Sequence, residues 1–174
     1  MGGGRSNTDQ ARLHHKAGHS EEAQRIYQMG NALAAQGRMD QAIAHYKRAL
    51  VLRPDDALTH NNLGNALADQ GQLDAAIVHL RQAVRLNPGY AEAHANLANA
   101  LMRRGALDEA VLLCRQAVAL RPGYAEAHYI LGNALAAQGR LEDASRATGR
   151  RCPAGQTLRT RITAWATSSS RWAG

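Results

Sequence analysis

The sequence predicts an all-α fold of stacked helical hairpins, and three observations predict it. Residues 30–38 recur identically at 132–140, and residues 89–94 recur at 123–128. Pro54, Pro88 and Pro122 lie 34 residues apart. Each period carries two stretches of apolar residues at helical spacing. A fixed period of this length is typical of supersecondary units that stack on one another.

The unit of residues 55–88 shows the order of elements within a period. Leu63, Gly64 and Leu67 are spaced as on a helix, and Gly71 interrupts the pattern before a second helical stretch that ends near Pro88. Small residues at positions 30, 64, 98 and 132 predict a close approach of the two helices. Larger residues at 46, 80 and 114 are predicted to fill the core, which makes Cys114 a small buried apolar side chain.

This pattern resembles the tetratricopeptide repeat (TPR). The residues that carry the resemblance in one unit are His60, Leu63, Gly64, Leu67, Ala76, Leu80 and Pro88, and the next unit has His94, Leu97, Ala98, Leu101, Ala110, Cys114 and Pro122. The resemblance covers about residues 21–148. Within the family, residues 60–65 are most similar to the arrays of O-GlcNAc-transferase-like proteins. The resemblance implies a right-handed superhelix, an α-solenoid, whose concave groove is lined by the first helix of each unit.

Both ends depart from the pattern. Residues 1–19 are predicted to be a flexible N-terminus with a remnant of a repeat, and a helix is predicted from about Glu21 to Gln36 with Ser20 as its N-cap. The array is predicted over residues 20–148, in units of about 21–54, 55–88, 89–122 and 123–148.

Residues 149–174 are predicted to be a disordered basic tail that is a frameshifted continuation of the array. The Trp-Ala pairs at 165–166 and 172–173, read one nucleotide out of frame, give glycine at 166 and 173. These positions lie 34 residues after Gly132 and Gly139. The alternative is an unrelated natural tail.

The net charge of +7 is concentrated in this tail. Residues 145–174 hold six arginines and no acid, whereas residues 1–144 hold 15 basic and 14 acidic residues. A nucleic-acid partner is therefore not expected, because such a surface carries its charge on the folded face. No apolar run is long enough to span a membrane, so no membrane partner is expected. Two cysteines, Cys114 and Cys152, form no disulfide framework and favour a cytoplasmic location.

Asparagines are the candidate binding residues. They recur at one position of each unit and at a second position three residues earlier, as Asn31, Asn65, Asn99 and Asn133, and as Asn62 and Asn96. The resemblance places them in the groove, where an amide can pair with the backbone of an extended peptide. The alternative is that they bond within their own repeat and hold the helix pair together. Both interpretations stay open at this point.

Other chemistry has little support in the sequence. His60, His94 and His128 recur with the period, but no cysteine or carboxylate accompanies them at metal-ligand spacing, so they are predicted to be structural. No catalytic residues, metal or cofactor are expected. The groove positions offer only Arg103 as a basic residue, which disfavours a clamp for acidic C-termini.

The sequence therefore predicts a non-catalytic scaffold that binds a protein or an extended peptide segment in its groove. Two alternatives remain: a substrate-binding TPR segment of an O-GlcNAc-transferase-like enzyme without its catalytic domain, and a structural self-assembly module.

The last unit is predicted to be open at its C-terminal end, because its second helical pattern is lost after Ala144. Apolar residues of this end are then expected to lose part of their cover, namely Leu113, Val118, Leu131 and Leu135. Such a face predicts a homodimer in which like ends meet.

Overall fold

A computed structural model of the chain describes the backbone of residues 7–149 and the side chains of residues 18–149. The described residues form eight helices: α1 Asn7–Ala35, α2 Met39–Leu52, α3 Ala57–Asp69, α4 Leu73–Leu86, α5 Ala91–Arg104, α6 Leu107–Leu120, α7 Ala125–Ala137 and α8 Leu141–Thr148. The predicted all-α fold of helix–turn–helix repeats is confirmed. None of the described helices is both long and apolar enough to cross a membrane.

The helices pair as hairpins in two compact units. In the first unit, α1 packs on α2, α3 packs on α4, and α2 contacts α3. In the second unit, α5 pairs with α6 and α7 pairs with α8, while α7 also contacts both α5 and α6. Each helix thus packs against the other helix of its hairpin, and the two hairpins of a unit also pack against each other.

A glycine makes each turn within a hairpin possible. Gly37, Gly71, Gly105 and Gly139 have φ between +74° and +91°, a range that side chains with a Cβ rarely adopt. After each of them, the next backbone amide donates back into the preceding helix, as from Gln72 to the carbonyl of Leu67 at 2.9 Å. This closes the first helix and reverses the chain within three residues.

The two helices of a hairpin approach closely where the first carries a small residue. A Cβ added to Gly64 would lie 2.6 Å from Leu80 Cγ and 3.1 Å from the carbonyl oxygen of Ala76. A Cβ added to Gly30 would lie 2.7 Å from Cε1 of Tyr46. The predicted role of the small residues at positions 30 and 64 is therefore confirmed.

The α5–α6 hairpin of the second unit has a different pair of residues at the same two repeat positions. Ala98 replaces glycine and Cys114 replaces the larger partner, and both are fully buried. Burial raises the pKa of the Cys114 thiol to about 12, so this thiol is protonated at neutral pH. Cys114 is a buried apolar residue, as predicted.

The first helix begins well before the predicted position. It starts at Asn7, and Ser20 lies inside it, so the prediction of a start near Glu21 with Ser20 as N-cap is wrong. Residues 8–17 contain no glycine or proline, and several of them are good helix formers. Gly18 and Ser20 are tolerated inside the continuous helix.

Three of the four C-terminal apolar residues expected to lose cover are buried, and the fourth, Val118, is half-buried. Leu113 and Leu131 are 8% exposed and Leu135 is 2% exposed. The short helix α8 packs against α7 and buries its own Leu141 and Ala144. The expectation that Leu113, Leu131 and Leu135 lose their cover is therefore wrong. The predicted tail after residue 149 lies outside the described residues.

Substitution of Gly64 by alanine tests the close approach. The added Cβ meets the Leu80 side chain and a backbone oxygen, so we expect the free energy of unfolding to fall by about 1–3 kcal/mol, as for other overpacked cores. Urea denaturation followed by circular dichroism measures the change. Gly18→Ala is the matched control, because Gly18 lies in a helix with nothing within 4 Å of its added Cβ. Equal stability of the Gly64→Ala chain and the wild type would contradict the proposed contact.

Candidate functional site in the first unit

A polar pocket lies among the first three helices of the first unit. Its volume is about 310 Å³. It is lined by two residues of α1, two of α2 and four of α3: Asn31, Ala34, Met39, Tyr46, Asn62, Asn65, Ala66 and Asp69. Three of the six predicted binding asparagines therefore meet at one place.

Two asparagines and two tyrosines form a hydrogen-bond network in the wall of this pocket. The hydroxyl of Tyr46 donates to Oδ1 of Asn31 at 2.8 Å. Nδ2 of Asn62 donates to the same oxygen at 3.0 Å and to the hydroxyl of Tyr27 at 3.0 Å. Burial raises the pKa of Tyr46, and the neighbouring Tyr27 raises it further, so its hydroxyl stays protonated and remains a donor. The network ties α1, α2 and α3 together.

The network uses most of the polar capacity of Asn62. Its amide has two hydrogens, and both are donated within the protein. Its oxygen accepts from Nδ2 of Asn61 at 3.2 Å. The oxygen of Asn31 also accepts twice. For these two side chains, the bonds favour the interpretation that asparagines hold neighbouring helices together.

Asn65 differs from both. It lies one turn after Asn62 on α3, it is exposed, and it makes no hydrogen bond within the described part of the chain. Its two donors and its acceptor therefore face solvent at the pocket. The same residue type at neighbouring positions thus has two different environments.

The remaining predicted asparagines lie in the second unit. Asn96 and Asn99 are half-buried on α5, and Asn133 is half-buried on α7. Compared helix by helix from the start of each unit, α6 has Cys114 where α2 has Tyr46, and α7 has Ile130 where α3 has Asn62. A network of the same composition therefore cannot form there.

Asp69 lines the pocket but was not predicted as a site residue. It is the one charged side chain among the lining residues, and it is exposed at the end of α3. Its repeat position holds Ala35, Arg103 and Ala137 in the other units. Asp69 could have been identified from the sequence because the residue at this repeat position, one helical turn after the asparagine position, differs in charge between units.

The recurring histidines have a structural role, as predicted. Nε2 of His60 donates to the carbonyl oxygen of Pro54 at 2.9 Å. His94 and His128 make the same bond to the prolines six residues before them, at 2.9 and 2.8 Å. Each histidine thus fixes the loop that leads into its own helix. Among the described residues, no three potential metal ligands come together.

His60 also bonds to a second histidine. Its Nδ1 lies 3.0 Å from Nδ1 of His79 on α4. With the Nε2 hydrogen of His60 donated to Pro54, Nδ1 of His60 is the acceptor and His79 donates. Burial lowers the pKa of His79, and the nearby His60 and Lys47 lower it further, which keeps this ring neutral.

These features define an all-α repeat protein built from helical hairpins. The family model described as "TPR repeat" matches residues 30–71, 64–105 and 98–139, and the model described as "Tetratricopeptide repeat" matches residues 8–29. The chain therefore belongs to the tetratricopeptide-repeat family. The match at residues 8–29 lies within α1 and overlaps the start of the predicted array at residue 20.

Solved structures of similar fold agree with this family. A crystal structure of MamA has a TM-score of 0.68 at 21% identity, covering 86% of this chain and 81% of that chain. The first TPR of Spaghetti (RPAP3), bound to the HSP90 peptide SRMEEVD, has a TM-score of 0.62 at 24% identity, covering 75% and 95%. The Arabidopsis OM64 TPR domain has a TM-score of 0.65 at 19% identity, covering 67% and 96%. No curated protein matches the sequence.

Proposed function

We propose that the chain is a non-catalytic scaffold that binds an extended peptide segment of a cytoplasmic partner protein. The observation that carries this proposal is the pocket of the first unit, where the free amide of Asn65 stands beside the ordered network of Asn31 and Asn62. An exposed amide can donate to a peptide carbonyl and accept from a peptide N–H at the same time. It therefore recognises a backbone without requiring a particular side chain.

The network supports this proposal because it makes the pocket rigid before a ligand arrives. Tyr46 is 2% exposed, and its bond to Asn31 fixes that side chain. A preformed site loses less conformational entropy on binding. Asn31 and Asn62 contribute by shaping the wall of this pocket, since their bonds lie within the protein. We propose Asn96, Asn99 and Asn133 as further binding residues within the second unit, considered by itself.

A substrate-binding role in an O-GlcNAc-transferase-like protein remains an alternative within the same chemistry. It also requires an extended peptide and a series of asparagines, so the pocket supports both. Reading the gene in the shifted frame after codon 145 distinguishes them, because this alternative requires a glycosyltransferase sequence downstream.

Alanine substitutions of two neighbouring asparagines test the proposed division of roles. The probe is the end-blocked peptide that the wild-type chain selects best from a random nine-residue library. We expect Asn65→Ala to weaken its binding by about 0.5–1.5 kcal/mol, the net value of one hydrogen bond, and to leave the melting temperature unchanged. Fluorescence anisotropy and thermal denaturation measure the two effects.

Asn62→Ala is the matched control, one turn away on the same helix. It removes one of the two bonds to the oxygen of Asn31 and the bond to the hydroxyl of Tyr27, so we expect a loss of stability of about 1–3 kcal/mol. If Asn65→Ala lowers the melting temperature as much as Asn62→Ala does, Asn65 is structural and the proposed role fails. Selection of no peptide by the wild type would overturn peptide binding itself.

Self-association is a second candidate function, and one side chain favours it. Met29 on α1 is 53% exposed, whereas Leu63, Leu97 and Leu131 at the same repeat position are at most 8% exposed. No helix precedes α1 in the described chain, so no hairpin covers this position. We therefore propose the homodimer contact at Met29 on α1, whereas Leu113, Leu131 and Leu135 near the C-terminal end are buried.

Light scattering on the purified chain tests this candidate. If Met29 contributes to the contact, the wild type shows a mass that rises with concentration, and Met29→Glu stays monomeric because a carboxylate cannot be buried there without cost. Val78→Glu is the control, since Val78 is an apolar residue of similar exposure, 66%, on α4. A wild-type chain that remains monomeric at high micromolar concentration excludes this function.

A further inference from the structure

We propose that the pocket of the first unit selects peptides that carry a lysine or arginine side chain. In this proposal the carboxylate of Asp69 binds the positively charged end of that side chain. This inference rests on the proposed peptide binding and names the class of ligand. It follows from the distribution of charge in the pocket, from the unpaired state of Asp69, and from the chemistry of the neighbouring lining residues.

The pocket carries a negative charge and has no positively charged lining residue. Asp69 is its only charged lining residue. Within the described part of the chain, Asp69 forms no ion pair and no hydrogen bond, whereas the aspartates Asp56, Asp108 and Asp143 all bond to other side chains. An unpaired carboxylate at the edge of a pocket attracts a cation and repels an acidic ligand.

The backbone at this end of the helix adds to that charge. Asp69 is the last residue of α3. The C-terminus of a helix carries a partial negative charge, and a cation beside it is stabilised. The carboxylate and the helix end therefore act in the same direction on a ligand.

The other lining residues suit the stem of a long basic side chain. Ala34, Met39 and Ala66 supply apolar surface, and Asn65 lies one turn before Asp69 on α3. Lysine and arginine place an apolar stem on such a surface while the charged head stays near water. The free amide of Asn65 is then available for the backbone of the same peptide residue.

The carboxylate is specific to this pocket and is not a repeated solubilising charge. The position holds alanine in the first and last units and Arg103 in the third. The HSP90 peptide bound by the Spaghetti repeat, SRMEEVD, has an acidic end. Asp69 disfavours such an acidic end at the first-unit pocket.

A positional-scanning library of end-blocked nine-residue peptides tests the inference. The wild-type chain is expected to prefer lysine or arginine over alanine at one peptide position by about two- to fivefold, the range of a solvent-accessible ion pair. Asp69→Asn removes the charge and keeps the shape, and the preference is expected to fall to about one. It should also weaken in the wild type when salt is raised, because the pair is screened.

Asp55→Asn is the matched control. Asp55 is an exposed aspartate in the loop before α3, at the opposite end of that helix from Asp69. We expect this variant to keep the preference for a basic residue. If peptides are retained without a basic preference, or if the preference survives in Asp69→Asn, the inference fails while the proposed peptide binding stands. If no peptide is retained at all, the proposed function and the inference both fail.

Discussion

The contact between Gly30 and the ring of Tyr46 is the constraint on which the first unit depends. A Cβ at position 30 would lie 2.7 Å from the ring, so the ring can lie against α1 only because that residue is glycine. This contact packs the hairpin and also sets the position of the phenolic hydroxyl. The hydroxyl meets Asn31, the residue after Gly30, at 2.8 Å. Packing and polar recognition are thus linked through one side chain.

The hydroxyl of Tyr46 then determines what the asparagines can do. By fixing Asn31, it positions an oxygen that also accepts a hydrogen bond from Asn62, and Asn62 donates to the Tyr27 hydroxyl as well. Two amides are thereby committed to joining three helices. Asn65 and Asp69, further along α3, lie outside the network but inside the pocket. A rigid polar wall beside uncommitted groups is the arrangement that a binding site requires.

The sequence predicted the hairpins and the close helix contacts well, because both follow from a strict period. Glycine at 71 reflects a turn with positive φ, and glycine at 30 and 64 reflects the close approach of two helices. The start of α1 was missed because a repeat pattern describes units, whereas helix propensity before residue 20 decides where a helix begins. The burial of Leu131 and Leu135 was missed because the repeat pattern ends after Ala144, whereas α8 still forms there and packs on α7.

The candidate site was harder to predict for a different reason. Asn31, Asn62 and Asn65 share one residue type and one repeat pattern, so the sequence could not separate a committed amide from a free one. Only the positions of the Tyr27 and Tyr46 hydroxyls separate them, and these depend on three helices at once. Asp69 was not predicted because candidate residues were chosen by their recurrence in each unit, and the other units have Ala35, Arg103 and Ala137 at this position.

The central claim is that neighbouring asparagines of α3 have different roles, and their side-chain amide protons report it directly. Hydrogen exchange of the Asn62 and Asn65 side-chain amides, measured by NMR on the ¹⁵N-labelled chain, compares the two without any ligand or substitution. The account predicts slow exchange for Asn62, whose two amide hydrogens are bonded to Asn31 and Tyr27, and fast exchange for the exposed Asn65. Equal exchange at the two side chains would contradict it.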